Sequence, residues 1–233
     1  MSIVGLALLG SRARGDHDED ADVDLLGVTT DPAPTTAAHG RVTMSCYPFD
    51  HIVRHARGGD LFALHVVSEA KVIYEAWPVF EEIKRAFTYR PDYSRELKVA
   101  SDVGWFLARY GRQFRDGKAL NEKIAWSTRT MLIARAASQR RPLFSAAALA
   151  EFSGSNTVRT LIEFKDSAEI DAQMIDMFRD VLRTFGAEEP PMPRTLIEQK
   201  RVFEADRNAP GVRAINAITN DQAIGGAAHV QAR

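Results

Sequence analysis

The sequence has a single cysteine, Cys46, among its 233 residues. One cysteine excludes an intrachain disulfide and a cysteine-based zinc cluster, and it is typical of a protein in a reducing compartment. Long hydrophobic runs are also missing, because no stretch approaches the roughly 18 apolar residues that a membrane-spanning helix needs. The formal net charge is only −1, which excludes a strongly acidic or basic low-complexity protein. We expect a soluble, cytoplasmic, globular protein that does not enter a membrane.

The small net charge hides two unlike parts of the chain. Residues 1–90 carry 9 Lys and Arg against 13 Asp and Glu, whereas residues 91–233 carry 21 against 18. The first part alternates short aliphatic runs with Gly, Pro and Asp, and the second part has the spacing of amphipathic helices. We therefore predict an α+β protein. A small mixed-sheet domain is expected over 1–90, an all-α helical bundle over 91–222 and a flexible tail over 223–233.

The hydrophobic pattern also predicts the individual elements. In the first part, strands are expected over 3–9, 22–28, 41–47 and 70–74, short helices over 49–56 and 61–67, and a loop over 29–40. In the second part, four or five helices are expected, over 94–115, 119–139, 145–154, 156–186 and 195–206. The fourth is open to a break at Asp166-Ser167, and the fifth to an extension past Pro210. The fourth of these helices is expected to end at Gly186 as a C-cap.

The clearest chemical signal lies within residues 8–26. An apolar strand ends in Gly10-Ser11, and ten residues separate Ser11 from the pair Asp22 and Asp24. Strand residues two apart point to the same face, with backbones about 6 to 7 Å apart. Two such carboxylates can share Mg²⁺, which takes oxygen ligands and keeps waters and substrate phosphates in its shell. Gly10 allows a phosphate to approach the backbone closely, and Ser11 offers a hydroxyl and an amide.

This stretch resembles the signature of nucleotidyltransferases of the DNA polymerase beta superfamily, in particular the minimal nucleotidyltransferases. The matching residues are Gly10, Ser11, Ala13, Arg14, Gly15, Asp16, Asp22, Asp24 and Leu25. The similarity continues more weakly to about residue 88. It implies a nucleotidyltransferase that moves a nucleoside monophosphate from a nucleoside triphosphate, such as ATP, to an acceptor hydroxyl, with Mg²⁺ or Mn²⁺ as the metal.

The resemblance also implies roles for single residues. Asp22 and Asp24 would be catalytic metal ligands, and Gly10 and Ser11 would bind the triphosphate. Arg14 would either contact a phosphate or hold the loop by pairing with a nearby carboxylate. The acceptor stays open between a small molecule, a protein and an RNA end, and so do the nucleotide base and whether the chain forms a homodimer.

One departure from the family concerns the third carboxylate, which helps to activate the acceptor hydroxyl. The strand expected to carry it, over 41–47, contains no Asp or Glu, and Asp50 lies just beyond. Asp50 is therefore the candidate for this catalytic role. The alternative is a degenerate site, in a non-catalytic module that binds nucleotide or another protein.

The first helices expected in the bundle carry an excess of positive charge. Residues 95–145 contain 11 Lys and Arg against 4 Asp and Glu. Such a surface suits a triphosphate or an RNA, although most of these side chains are equally compatible with an ordinary solvated helix face. Arg129 and Arg135, which are flanked by apolar residues, are the candidates for facing a nucleotide cleft.

Overall fold

The computed structural model of the chain describes residues 2–17, 19, 21–191 and 193–230, with side chains described through residue 219. The chain divides into two compact units. One unit extends through Asp92 and includes Arg140–Pro142, and the other comprises Tyr93–Gln139 and the chain from Leu143 onward. The first unit contains the sheet, and the second is helical.

Among the described residues, a mixed sheet of five strands forms the framework of the first unit. The strands are β1 (Ile3–Leu9), β2 (Val23–Thr29), β3 (Thr35–His39), β4 (Val42–Pro48) and β5 (Lys71–Glu75). They lie side by side in the order β3-β4-β2-β1-β5. β1 is antiparallel to β2 and β5, β2 is parallel to β4, and β3 is antiparallel to β4. The predicted α+β fold class is confirmed.

Helices cover one face of this sheet. In chain order they are α1 (Gly10–Arg14), α2 (Phe49–Arg57), α3 (Leu61–Glu69) and α4 (Val79–Ala86). A hydrophobic core joins the sheet to the last three of them, and its fully buried members include Leu26, Val28, Ile52, Val66 and Ile83. At about 1.5 to 3 kcal/mol for each fully buried aliphatic side chain, this core is the main stabilising feature of the unit.

Strand β3 corrects the expectation of a loop over 29–40. Its five residues, Thr35–His39, are all exposed, and they pair antiparallel with β4. Neither face of β3 is buried, so its sequence lacks the alternation of apolar and polar residues by which strands are recognised. The four strands that were predicted each lie within one residue of the observed bounds.

The second unit is an all-α bundle with more helices than the four or five expected. In the described part of the chain they are α5 (Ser94–Tyr110), α6 (Gly117–Ser138), α7 (Ala146–Ser153), α8 (Asn156–Glu163), α9 (Ala172–Phe185), α10 (Leu196–Ala205) and α11 (Ala209–Val230). Close packing explains Gly104 on α5, because a Cβ there would lie 2.5 Å from Leu182 and 2.8 Å from the Ser127 hydroxyl.

The helix expected over 156–186 is broken where the sequence allowed it, around Asp166-Ser167: α8 and α9 are separated by a short 3-10 helix, Phe164–Asp166, and an irregular segment. The Asn121 side-chain amide donates to the carbonyls of Ser167 and Glu169, at 2.9 and 2.8 Å. These bonds satisfy backbone groups that a continuous helix would have paired internally. Gly186 is the C-cap of α9, as expected, although its backbone is extended (φ −78°, ψ 177°) rather than left-handed.

The chain's last part is helical as far as it is described. Helix α11 reaches Val230 and so includes most of the segment expected to be a flexible tail, whose residues 231–233 lie outside the described ones. No helix in the described ranges combines the length and the hydropathy that crossing a membrane requires.

Candidate active site

Asp22 and Asp24 lie where β2 begins. Asp22 directly precedes the strand, and Asp24 is its second residue, paired with Leu9 at the end of β1. Side chains alternate along a strand, so Asp24 shares a face with Leu26 and Val28, which are buried beneath the helices. Both carboxylates are exposed, and neither has a hydrogen-bond or ion-pair partner among the described residues. The two carboxylates therefore lie, exposed and without a partner among the described residues, at the end of the sheet where β2 begins.

Gly10 lies against Asp24. Its backbone is left-handed, with φ of +71°, and a Cβ added there would lie 2.9 Å from Oδ2 of Asp24. An L-residue would therefore strain the backbone and collide with the carboxylate. Ser11 follows in α1, and its hydroxyl makes no hydrogen bond within the described part of the chain. The structure thus brings together four of the predicted site residues: Gly10, Ser11, Asp22 and Asp24.

Arg12 holds the loop that leads to the aspartates. Its Nε and one terminal nitrogen donate to the Ala21 carbonyl at 3.0 and 2.8 Å, and the same terminal nitrogen donates to the Glu19 carbonyl at 3.2 Å. Ala21 immediately precedes Asp22, so these bonds position that carboxylate relative to α1. Arg12 has no predicted role from the sequence. In the sequence, only the position of Arg12 directly after Gly10-Ser11 connects it with the site.

Arg14 is engaged by two carboxylates. Its Nε donates to both oxygens of Asp16, at 3.1 and 3.0 Å, and a terminal nitrogen donates to Glu69 at 2.6 Å. These contacts favour the loop-holding alternative for Arg14, because two carboxylates of the protein already pair with its positive charge. Glu69 is the last residue of α3, so this pair ties the short helix α1 to the helical layer.

Glu69 connects the turn to a histidine as well. Its Oε2 also contacts Nε2 of His65 at 2.9 Å, and its side chain is only 11% exposed. Burial by itself would raise the pKa of Glu69, but hydrogen bonds from His65 and Arg14 and the charge of Arg14 outweigh burial and lower the pKa. Glu69 is therefore an ionised anchor. Its anchoring role had no sequence signal, because its partner Arg14 lies in another element.

Asp50 lies away from this site, which corrects its assignment as the third carboxylate. β2 and β4 run parallel, and their register pairs Asp24 with Thr43 and Thr29 with Pro48. Asp50 follows Pro48 in the first turn of α2, beyond the opposite end of β4. Thr43 and Pro48 are themselves about 16 Å apart, at about 3.3 Å per strand residue. Asp50 instead lines a cleft between α2 and α4 with several arginines, namely Arg54, Arg57 and Arg85.

Thr43 occupies the place on β4 that directly faces Asp24. Paired residues on neighbouring strands project to the same face, so a carboxylate at this position would join the aspartate pair. Threonine supplies only a neutral hydroxyl. Within the described residues, no group of three or more acidic, histidine or cysteine side chains is arranged to hold a metal ion. Among the residues that the structure describes, the site therefore has two carboxylates, Asp22 and Asp24.

The two arginines expected to face a cleft serve the bundle itself. Arg129 donates to the Phe144 carbonyl at 3.0 Å. Arg135 donates from Nε to the Phe185 carbonyl at 2.5 Å, where α9 ends. Both guanidinium groups thus bind carbonyls within the second unit, which gives them a structural role there.

Comparison with known proteins agrees with the motif. Residues 2–99 match the nucleotidyltransferase domain family, a range that includes all five strands and helices α1–α4. Among solved structures, the chain is similar to a nucleotidyltransferase-like protein from Exiguobacterium sibiricum 255-15, at 17% identity and a TM-score of 0.33, over 89% of this chain and 82% of that one. Comparison with curated proteins found no match.

Proposed function

We propose that this chain, whose residues 2–99 form a nucleotidyltransferase domain, transfers a nucleoside monophosphate from a nucleoside triphosphate to an acceptor hydroxyl with the help of Mg²⁺. In this reaction the acceptor hydroxyl releases its proton to solvent and its oxygen forms a bond to the α-phosphorus, while the bond from that phosphorus to the oxygen bridging the β-phosphorus breaks and pyrophosphate leaves. The observation that carries the proposal is the placement of Asp24 against Gly10, beside the free hydroxyl of Ser11.

The donor set fits a divalent metal. Asp22 and Asp24 are ionised acceptors, and a triphosphate beside them would bring further negative charge. Like charges a few ångströms apart repel by several kcal/mol outside bulk water, so a cation is needed between carboxylates and phosphates. Mg²⁺ characteristically uses one or two protein carboxylates and completes its shell with phosphate oxygens and water. When bound, the metal would neutralise charge on the phosphate oxygens as a Lewis acid.

The remaining residues of the site position the substrate. Gly10 leaves the space that a side chain would fill, so the triphosphate can approach the backbone, and the Ser11 hydroxyl can donate to one of its oxygens. Arg12 and Arg14 act on the protein rather than on phosphate, since their bonds to Ala21 and Glu69 fix the turn and the loop around the site. We assign Asp22 and Asp24 as the metal ligands and Gly10 and Ser11 as the triphosphate site.

A second candidate function is nucleotide binding without efficient transfer. Thr43 favours it, because the residue that faces Asp24 on β4 cannot serve as a carboxylate base. The two candidates share the same binding site and differ in turnover, so one assay separates them.

The test uses nucleoside triphosphates labelled at the α-phosphorus, supplied with Mg²⁺ and with RNA, protein or small hydroxyl compounds as acceptors. We expect label to be transferred to one acceptor class by the wild-type chain. Asp22→Asn should abolish transfer, because it removes a metal ligand's charge, while the thermal unfolding temperature stays unchanged.

The matched control is Asp50→Asn, which removes the same charge from an exposed position at the far end of β4. It should retain full transfer. Unchanged transfer by Asp22→Asn would overturn the proposed site. Binding of nucleotide that depends on Mg²⁺ and on Asp22, with no label transferred to any acceptor, would establish the second candidate instead.

A further inference from the structure

Two histidines lie one helical turn apart on α2. His51 and His55 are four positions apart, which places them on the same face of the helix. Their ring centroids are 4.4 Å apart, and the planes of the rings differ by 37°. Both residues are partly exposed, so an ion can reach them from solution. Two histidines with this spacing on a helix can bind one transition-metal ion together.

Asp60 holds one of these rings in place. Its Oδ2 contacts Nδ1 of His55, and its Oδ1 accepts a hydrogen bond at 2.8 Å from the backbone N–H of Ala63, in the first turn of α3. A proton on Nδ1 that is donated to this carboxylate leaves the lone pair of Nε2 free. Metal-binding histidines characteristically donate their other ring nitrogen in this way, which fixes the ring and makes it a better ligand.

His51 keeps both of its ring nitrogens available. In the described part of the chain it has no hydrogen-bond or ion-pair partner, and its ring stacks on Tyr47, with centroids 5.7 Å apart. Partial burial, followed by the neighbouring charges of His55 and Arg54, lowers the pKa of His51. The ring is therefore neutral at pH 7, which is the form of histidine that binds metal.

Aromatic neighbours keep the two imidazoles in this arrangement. Phe62 of α3 packs against Tyr47, with centroids 5.0 Å apart, and against the His55 ring, edge to face, at 6.3 Å. The rings of His51 and His55 are thus supported by Tyr47 and Phe62 as well as by Asp60. Because the ligands are already positioned, little ordering is needed when an ion binds.

We propose that His51 and His55 bind one divalent transition-metal ion, such as Ni²⁺ or Cu²⁺. Imidazole nitrogen suits these metals, whereas Mg²⁺ and Mn²⁺ prefer the oxygen ligands that the aspartate pair offers. A bond from a metal to a histidine nitrogen is about 2.0 to 2.1 Å long. When each bond points away from the centre of its ring, the 4.4 Å separation of the rings makes the two bonds meet at about a right angle. That angle is typical of the tetragonal geometry of Cu²⁺ and Ni²⁺.

The protein supplies two ligands to this ion, and water supplies the others. The part of the chain that the structure describes contains no group of three or more acidic, histidine or cysteine side chains that could hold a metal. Asp60 is a positioning residue, because its carboxylate contacts His55 and caps α3. Affinity for the ion therefore depends on both histidines directly and on Asp60 through His55.

Calorimetric titration of the untagged full chain with NiCl₂ tests the proposal. An excess of Mg²⁺ competes for carboxylate oxygens, so the heat reports nitrogen ligands whether or not the proposed function is correct. We expect one Ni²⁺ to bind per chain. His51→Gln and His55→Gln should each bind at least about tenfold more weakly, because one ring nitrogen ligand is lost. The matched control is His39→Gln, which removes an exposed histidine from β3 and should bind as the wild type does.

Asp60→Asn tests the positioning role. Asparagine can still cap α3, but it removes the negative charge beside Nδ1 of His55. We expect Ni²⁺ to bind about tenfold more weakly. The ¹⁵N chemical shifts of His55 should show the proton on Nδ1 in the wild type and a larger share on Nε2 in the variant. Unchanged shifts and affinity would overturn the role of Asp60.

Cu²⁺ in less than equimolar amount gives a second readout, which needs no variant. The unpaired electron of Cu²⁺ broadens the NMR signals of nearby nuclei, so the ring signals of His51 and His55 should be lost before those of His39. Circular dichroism of each variant establishes that it is folded. A wild type that binds no Ni²⁺, full affinity in both His51→Gln and His55→Gln, or broadening that begins at His39 would overturn the proposal.

Discussion

Oδ2 of Asp24 lies 2.9 Å from the point at which a side chain on Gly10 would begin. The pairing of Leu9 with Asp24 produces this closeness, because it brings the first residue after β1 beside the second residue of β2. The turn proposed to admit phosphate and the carboxylate proposed to bind metal therefore share one corner of the sheet. The glycine at residue 10 therefore keeps space free beside the Asp24 carboxylate.

Gly10→Ala should impair both the fold and the site. The left-handed backbone costs an L-residue about 1 to 2 kcal/mol, and the new methyl group displaces the Asp24 carboxylate. Gly40→Ala is the matched control, since Gly40 has φ of +57° but nothing within 4 Å of an added Cβ. Both variants should lose similar stability in chemical denaturation, whereas only Gly10→Ala should lose Mg²⁺-dependent nucleotide binding. Equal binding by the two variants would separate Gly10 from the site.

Arg12→Gln should loosen the loop before Asp22. The substitution removes the charged donor that binds the carbonyls of Glu19 and Ala21, in a loop that can open locally without unfolding the protein. We expect faster amide hydrogen exchange around Ala21 and about tenfold weaker nucleotide binding, with little change in global stability. Arg57→Gln removes an exposed arginine from α2 and should do neither. Unaltered exchange in Arg12→Gln would mean that the loop is held by other contacts.

Glu69→Gln should reduce stability in a pH-dependent way. The pKa of Glu69 lies below its ordinary value of 4.5 in the folded protein. Its ionised form therefore stabilises the fold above that pH, and this contribution is lost as the pH falls through the lowered pKa. The difference in unfolding free energy between wild type and variant should be about 1 to 3 kcal/mol at pH 7. Denaturation series should show it shrinking as the pH falls below about 4.5; a difference independent of pH would contradict the anchor role.

Thr43→Asp should create the carboxylate that β4 lacks. The new side chain would face Asp24 on the same side of the sheet, so metal-free protein should be less stable through like-charge repulsion. Binding of Mn²⁺, measured by calorimetry, should be stronger than in the wild type because a third oxygen ligand is available. Thr36→Asp on the exposed strand β3 adds the same charge elsewhere. Identical Mn²⁺ affinity in the two variants would show that residue 43 does not reach the metal.

Local patterns predicted those parts of the structure whose signal lies in neighbouring residues. The run from Gly10 to Asp24 indicates both the strand pair and the chemistry, because glycine, serine and two alternating aspartates are close in sequence. β3 escaped prediction because its pairing with β4 leaves both faces exposed. Arg12 and Glu69 escaped because a guanidinium bond to a carbonyl, or a contact between α1 and α3, depends on tertiary structure.

Asp50 shows that a residue close in sequence to strand β4 can lie far from the site when β4 runs parallel to β2. It is only a few residues beyond the strand in which the third carboxylate was sought, but the parallel register of β2 and β4 places it at the opposite end of the sheet from Asp24. The register, which the hydrophobic pattern does not encode for a short strand, decides which residue faces the aspartate pair. That residue is Thr43.

Calorimetric titration with a non-hydrolysable nucleoside triphosphate, with and without Mg²⁺, tests the central claim most directly. The claim is that the corner formed by Gly10 and Asp24 binds metal and nucleotide together. Wild type and Asp50→Asn should bind with equal affinity and only when Mg²⁺ is present, whereas Asp24→Asn should bind at least about tenfold more weakly. Binding that is indifferent to Mg²⁺, or equally strong in Asp24→Asn, would contradict the account.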